Sequence, residues 1–470
     1  MRKNWKKTAC LALAALTVFS AVGCGDNGGG GTVANLEDLY IPTYVDNGET
    51  VRTLTCLPPN YSSRDQVEMY VAAGMNAAYY AEDFLQASDV AVNGENSGYI
   101  KGLRLCEEYG LDVIIYPHGS YVSDQPTTGP NYYEQFFSTI DFRDYPAVKG
   151  FFVVDEPTYG QLVDTESRYL TWFNENYGDG TYEFWSNLFS RYVTNWKKGD
   201  YKDKTYDDYA GHYLSTLSRA NSINKHFSID YYTLRKTDGG IYMADTNLMA
   251  HVDAATRAKN AGVKFSAYVQ AFGGYADDTS YREPTTYAEI DWGVNNLLCL
   301  GASTLQFFCY REYKKDKLSG MLTDGVPNER YYWVQQTIAN LRKWEHVYLN
   351  FKWDHMYTNV GTGSRDAVNP AFEYVRSVIK PITGVSAVKS KYDVTMNEFT
   401  DGDGNKAFML CNYDEPKLER KNKVTVTMKD AGGVLYYRNG EPTTALLENG
   451  KFEIELEAGE GVFVIPLYKK

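Results

Sequence analysis

The sharpest chemistry in this sequence lies at residues 148–157, Val-Lys-Gly-Phe-Phe-Val-Val-Asp-Glu-Pro. A mostly apolar run leads without a break into Asp155 and Glu156. Pro157, which has no N–H to continue a strand ladder, ends the run there. Two adjacent carboxylates beside a hydrophobic wall repel each other when both are charged, so one pKa should rise. A carboxyl that keeps its proton near neutrality is what a general acid requires. Strict alternation puts Glu156 on the face of Phe152 and Val154 and turns Asp155 the other way. The same two groups could instead only tie down the following loop.

Other apolar runs also end in polar groups. Glu82 and Asp83 follow Asn76–Tyr80, and His118 follows Leu111–Tyr116. Asn187 lies within Glu183–Phe189, and Asp230 and Tyr231 within Phe227–Tyr232. Gln270 closes Val263–Val269, and Tyr310, Arg311 and Glu312 close the run that begins at Thr304. Carboxylates, amides and phenols bond hydroxyls in many directions, and aromatic faces stack on apolar ring faces. Such a rim suits carbohydrate better than a hydrophobic or phosphorylated ligand. Asp155, Asn187, His118, Gln270, Arg311 and Glu312 are its polar candidates, and Tyr80, Tyr116, Tyr231 and Tyr310 its wall. The 41 tyrosines fit this reading, because many must reach a surface or a cleft. Taken alone, His118 could merely orient a neighbour, and Arg311 could pair with a carboxylate.

Several chemistries are argued against. The six histidines form neither H-x-H nor H-E-x-x-H, so no catalytic zinc is expected. No glycine-rich phosphate loop follows any expected strand, and no cofactor is expected. Asp401, Asp403 and Asn405 begin like a calcium loop, but Lys406 at its sixth position and the lack of a glutamate at its twelfth make a hairpin turn the expectation. The formal charge of −13 argues against a nucleic-acid partner.

The elements that must hold these residues read as eight strands with helical crossovers. The strands are Val51–Leu57, Asn76–Tyr80, Leu111–Tyr116, Val148–Val154, Glu183–Phe189, Phe227–Tyr232, Val263–Val269 and Thr304–Tyr310. Helices are expected near 63–73, 100–109, 247–260, 287–300 and 328–349. Apolar strands separated by helices mean a covered parallel sheet, and eight units over about 300 residues fit an α/β (β/α)8 TIM barrel. An open doubly wound sheet is the competing architecture. After residue 355, short strands alternate with Gly-rich turns, which reads as an antiparallel β-sandwich. The expected division is 1–23 signal peptide, 24–36 flexible tether, 37–354 barrel and 355–470 sandwich.

At the start, Arg2, Lys3, Lys6 and Lys7 precede an apolar stretch that ends in Ala21-Val-Gly-Cys24. This segment resembles the lipobox of bacterial lipoproteins. The resemblance implies cleavage before Cys24, lipid attachment to its thiol, and a lipid-anchored place in the cell envelope at the outer membrane. Plain secretion is the alternative. Cys106, Cys299 and Cys309 read as small buried hydrophobes.

A second resemblance rests on Leu57-Pro-Pro, Ala73-Gly-Met-Asn, Gly150-Phe-Phe-Val-Val-Asp-Glu-Pro, Ile290-Asp-Trp, Leu300-Gly-Ala, Tyr310-Arg311 and Asp324-Gly-Val-Pro-Asn328. Over roughly residues 50–350 the chain resembles the (β/α)8-barrel glycoside hydrolases of the large retaining clan, in its β-galactosidase-like branch. The resemblance implies that Glu156 is the acid/base. Two positions depart from it. Asp155 stands where the clan has Asn, and Gln270 stands where the clan has its nucleophilic Glu. An amide cannot serve as that nucleophile. Asp230 is then the expected partner carboxylate and Glu312 an alternative. The third reading is a catalytically inactive glycan-binding barrel.

Overall fold

The computed structural model describes residues 35–80, 90, 92–116, 140–237, 240–243, 245–274, 281–314, 317–363, 372 and 375–470. The signal, Cys24, most of the tether, Glu82, Asp83 and His118 lie outside the described residues. No helix among those described is long and apolar enough to cross a membrane.

Eight parallel strands form one sheet: β1 Arg52–Thr55, β2 Ala77–Tyr80, β3 Asp112–Ile115, β4 Val148–Asp155, β5 Glu183–Phe189, β6 His226–Asp230, β7 Lys264–Gln270 and β8 Ala302–Phe308. From β2 to β8 each strand pairs with the next, and β1 pairs with β8, so the sheet curls toward a barrel. Closure between β1 and β2 passes through Asn76. Its N–H donates to Thr53 O at 3.1 Å, and its Oδ1 accepts from Thr53 N–H at 2.7 Å.

The crossovers are α1 Arg64–Ala72, α2 Gly98–Glu108, α3 Ser167–Asn176, α4 Tyr206–Arg219, α5 Asp245–Ala261, α6 Tyr287–Cys299 and α7 Glu329–Arg342. Their starts follow from capping chemistry. Ser97 Oγ accepts from Ile100 N–H at 3.2 Å to open α2, and Thr205 with Asp208 forms a capping box on α4. A hairpin, Leu234–Thr237 paired with Gly240–Met243, rises directly after β6.

The barrel interior is packed in layers. At the N-terminal end, Arg52 grips Glu183 with two hydrogen bonds of 2.5 and 2.9 Å. Asn224 Nδ2 donates to the same carboxylate at 3.1 Å. Gly150 leaves the room this needs, since a Cβ there would sit 2.6 Å from Glu183 Cβ. Above this floor Leu54, Ala77, Tyr79, Ile114, Phe152 and Trp185 fill the bore.

The C-terminal region is a β-sandwich. Its six-stranded sheet runs β9 Phe351–Asn359, β11 Val394–Asp401, β12 Lys406–Asn412, β17 Gly461–Leu467, β14 Gly433–Arg438, β15 Glu441–Leu446. The facing sheet is β10 Val385–Ser390, β13 Asn422–Met428, β16 Lys451–Leu456. Strand β9 straddles the expected boundary at 354/355. Asp401 Oδ1 accepts from Asp403 N–H and Asn405 N–H at 3.0 and 2.8 Å, which closes the β11–β12 hairpin turn. The six-stranded sheet packs on the barrel through α6, Trp344 and Tyr348, with Phe399 and Phe463 beneath those rings.

Candidate active site

Three carboxyl groups converge at the C-terminal mouth of the barrel, Asp155 and Glu156 from the end of β4 and Asp230 from the end of β6. Plain alternation does not put Asp155 there. Strand β4 carries a bulge, with Phe152 opposite Trp185 but Asp155 opposite Asn187. One extra residue has been inserted, so Asp155 faces inward alongside Asn187, where unbroken alternation turns it away. Glu156 then adopts a left-handed φ of 44°, a conformation that costs a non-glycine residue about 1 kcal/mol. The turn is held from both sides. Glu156 N–H donates to Asn187 O at 2.9 Å, and Tyr209 OH donates to Pro157 O at 2.8 Å.

Asp155 is the end of a hydrogen-bond chain across the bore. Tyr79 OH donates to Gln306 Oε1, and Gln306 Nε2 donates to Ser228 Oγ at 2.8 Å. Ser228 Oγ donates to Asn187 Oδ1 at 2.9 Å, and Asn187 Nδ2 donates to Asp155 Oδ1 at 3.0 Å. Every link donates toward the carboxylate, so the chain favours its charged form and fixes the orientation of both amides. Tyr79, Gln306, Ser228 and Asn187 are buried.

Burial raises all three carboxyls, and their mutual contacts shift them unequally. Glu156 is pushed well up by burial, then by the negative charges of Asp230 and Asp155, and by sharing a hydrogen with Asp230. Asp155 is pushed up to about 7 by surrounding protein and by Asp230, against the Asn187 bond. It is nevertheless exposed to the open cleft, where water screens the burial contribution. What stands is the upward direction. Asp230 is raised by burial and held back by its contacts with Glu156, Asn187 and Tyr232. Its Oδ1 is buried without a hydrogen-bond partner among the described residues. Of the pair, Glu156 is pushed up and Asp230 is held back by the hydrogen they share.

The remaining candidates divide. Tyr116 packs edge-on to Phe152, ring centroids 4.7 Å apart, on the inner face. Tyr80 is a correction. It points outward into the helix layer, where it stacks on Tyr61 and its OH donates to Tyr99 O at 2.7 Å. Tyr310 is another, buried edge-on to Tyr70 under α1 and away from the cleft. With Asp230 pointing inward, Tyr231 points out against Tyr192 and beneath Arg235. Tyr232 takes the inward place, beside Asp230 and Glu156.

Gln270 is spent on backbone. Its Oε1 accepts from Leu234 N–H at 2.7 Å, and its Nε2 donates to Leu234 O at 3.0 Å and Arg282 O at 2.9 Å. It clamps the hairpin after β6 and leaves no amide group for a ligand. Glu312 accepts from Asp324 N–H at 3.1 Å and pairs with Lys314 at 3.4 Å in a surface hairpin, so it is no second carboxylate for Glu156. Arg311 sits on the loop after β8, its N–H bonded to Leu57 O at 3.2 Å.

Residues the sequence reading passed over also line the mouth. Cys56 Sγ lies 3.2 Å from Tyr268 OH, near Asp155 and Asp230. Tyr232, Phe272, Tyr281 and Phe308 form an aromatic wall with centroids 4.9–5.7 Å apart. Inward parity counted from Asp230 finds Tyr232. Among the described residues, Asp354, His355 and Glu398 could by spacing hold a metal ion. They lie on the sandwich, and Lys406 already reaches Glu398 at 2.9 Å and Asp354 at 3.5 Å.

The fold and the carboxyl-lined mouth define a class of architecture, a (β/α)8 barrel carrying a C-terminal β-sandwich. No family model matches the sequence, and no curated protein matches it. Among solved structures, one described as a glycoside hydrolase is 11% identical over 92% of this chain and 96% of its own, with a TM-score of 0.51. A family 30 subfamily 8 xylanase from Clostridium acetobutylicum is 10% identical over 90% of this chain and 97% of its own, TM-score 0.42. A family 27 β-L-arabinopyranosidase from Geobacillus stearothermophilus is 12% identical over the same shares, 90% and 97%, TM-score 0.42. Of these three, the first alone is close enough to argue from, and what it shows is the fold. The chain has the (β/α)8 barrel fold of glycoside hydrolases.

Proposed function

We propose that the protein is a glycoside hydrolase acting on an oligo- or polysaccharide, with Glu156 as the general acid. The observation that carries this is the cluster of Asp155, Glu156 and Asp230 at the barrel mouth, in which Glu156 keeps its proton. Glu156 and Asp230 touch more closely than the roughly 5–5.5 Å of retaining pairs or 6.5–9.5 Å of inverting pairs. In the empty cleft Asp230 therefore stands where a glycosidic oxygen would accept the Glu156 hydrogen bond. A bound sugar parts the two carboxyls and takes the Glu156 proton on its leaving oxygen as the C–O bond breaks. Water then adds to the oxocarbenium carbon and gives its proton to the charged Asp230 beside it. Asp155, anchored through Asn187, adds to that negative field. Tyr281 and Phe308, the half-buried rings of the aromatic wall, offer faces for stacking over the buried Tyr232 and Phe272.

Release of reducing sugar from a panel of plant and host polysaccharides tests the proposal. Glu156→Gln should lower hydrolysis by about 10²–10⁴-fold with glycan binding retained, and Asp230→Asn should also lower it. Unchanged turnover in either variant removes that residue from the mechanism. The contact of Glu156 with Asp230 also favours a second reading, a barrel that binds glycan without cleaving it. Binding without hydrolysis across the panel would establish that reading instead. The N-terminal motif adds the proposal of a lipid anchor on Cys24 in the cell envelope. A mature N-terminal peptide beginning at an unmodified residue would overturn it.

A further inference from the structure

Two thiols meet where the barrel joins the sandwich. Cys299 is the last residue of α6, and Cys411 lies on β12, the sandwich strand against which α6 packs. Both are buried, at 1% and 0% exposure. The Cys411 thiol is in contact with that of Cys299, and this contact and burial push it well above the ordinary thiol range. Cys299 Sγ also lies 4.0 Å from Met409 O, on the same strand. Gly461 stands opposite Cys411 in the β12–β17 register, and a Cβ there would meet Asn295 and Met409 at 2.8 Å, so α6 lies close against this part of the sheet. The other described cysteines are engaged elsewhere. Cys56 faces Tyr268 OH at 3.2 Å, Cys309 faces Arg311 O at 3.2 Å, and Cys106 is buried on α2. All five are free thiols here.

We propose that Cys299 and Cys411 are the two halves of a disulfide that ties the barrel to the sandwich when the chain folds in the presence of a disulfide oxidant. One protein thiolate attacks a sulfur of the oxidant, whose S–S bond breaks and whose first thiol leaves with a proton. The second protein thiolate attacks the resulting mixed disulfide and expels the second thiol, also protonated. The two protein thiols are oxidised, and the oxidant is reduced to two thiols. In the folded chain this exchange is slow, because both thiols are buried and Cys411 resists ionisation. The bond forms before α6 closes over β12. It joins residues 112 positions apart (411 − 299), a long loop whose closure restricts the unfolded chain.

The test is to unfold the full chain under reducing conditions and refold it with oxidised glutathione as the oxidant. Remaining thiols are then alkylated in denaturant, and peptides are mapped without reduction. The expected result is one cross-linked peptide pair joining Cys299 to Cys411, with Cys56, Cys106 and Cys309 alkylated. The denaturation midpoint should rise on oxidation in the native sequence and not in Cys411→Ala. Mapping the native chain needs no variant, so poor folding of Cys411→Ala leaves the test intact. Alkylation of both Cys299 and Cys411 after oxidative refolding, or cross-links scattered over other pairs, overturns the proposal.

Discussion

Replacing Asn187 with leucine tests what the bore-spanning hydrogen-bond chain does for the charge at the mouth, chiefly for Asp155 and also for Asp230, which Asn187 contacts as well. The substitution keeps the volume but removes the donor to Asp155 Oδ1 and the acceptor of the Ser228 hydroxyl. Stranding the buried Ser228 hydroxyl costs about 1 kcal/mol at any pH. Losing a hydrogen bond to a charged acceptor costs about 1.5–3 kcal/mol. Asp155 opens to the cleft, so water replaces part of that bond. The lower end, about 1.4 kcal/mol or one pKa unit, is the working figure. The sign follows from linkage. Folding raises Asp155 above its unfolded value of 3.8. Its protonated form is favoured by folding, so stability is fully present below the unfolded value and is lost as pH climbs to the folded one. The variant extends that loss upward by about one pH unit. Denaturant unfolding followed by tryptophan fluorescence should therefore show a cost of about 1 kcal/mol near pH 5 and about 2.4 kcal/mol near pH 9. An equal cost at both pH values would refute the claim that the chain of donors acts on the charge of Asp155.

Two other variants probe the frame. Glu183→Gln leaves Arg52 in the barrel floor with only Asp112 at 3.5 Å, and should cost about 3 kcal/mol in denaturant unfolding. Burial pushes Glu183 up, but Arg52 and His226 hold it well below the usual carboxylate range. Its contribution is thus present above the unfolded pKa and lost as pH falls, so the variant should resist acid no worse than it resists neutral pH, whereas the native chain weakens as acidity rises. Gln270→Glu should not create a nucleophile at β7. It should cost at least about 2 kcal/mol, because a carboxylate would face the carbonyls of Leu234 and Arg282. A gain of hydrolysis in that variant would contradict the clamp role.

The barrel was legible because its strands are apolar on both faces and α1, α2, α5 and α6 stop at glycines, and the carboxyl pair at the end of β4 could be found because Pro157 marks where the ladder stops. What could not be read is the bulge. Nothing in Phe-Phe-Val-Val announces that a residue is inserted between Phe152 and Asp155, and from that point parity inverts. For Tyr231 and Tyr232, regular alternation from Asp230 does hold, and it separates the outward ring from the inward one. Gln270 looked like a ligand group because its position alone was weighed. Its true partners, Leu234 and Arg282, come from loops whose path depends on tertiary packing. In the sandwich, Val394–Asp401 and Glu441–Leu446 mix polar and apolar residues in ways that leave little signal, and they are strands because neighbours supply their hydrogen bonds.

The packed floor makes the barrel a blind well. With Arg52 and Glu183 sealing one end and Trp185 and Phe152 plugging the bore above them, whatever enters must leave by the opening it came through. A long chain cannot be fed through such a vessel. It must lie across the lip or dip one end into it, and each spent piece has to clear the doorway before the next can arrive. Under the proposed hydrolysis, departure and arrival share one path, so accumulated product should act as a competitive inhibitor.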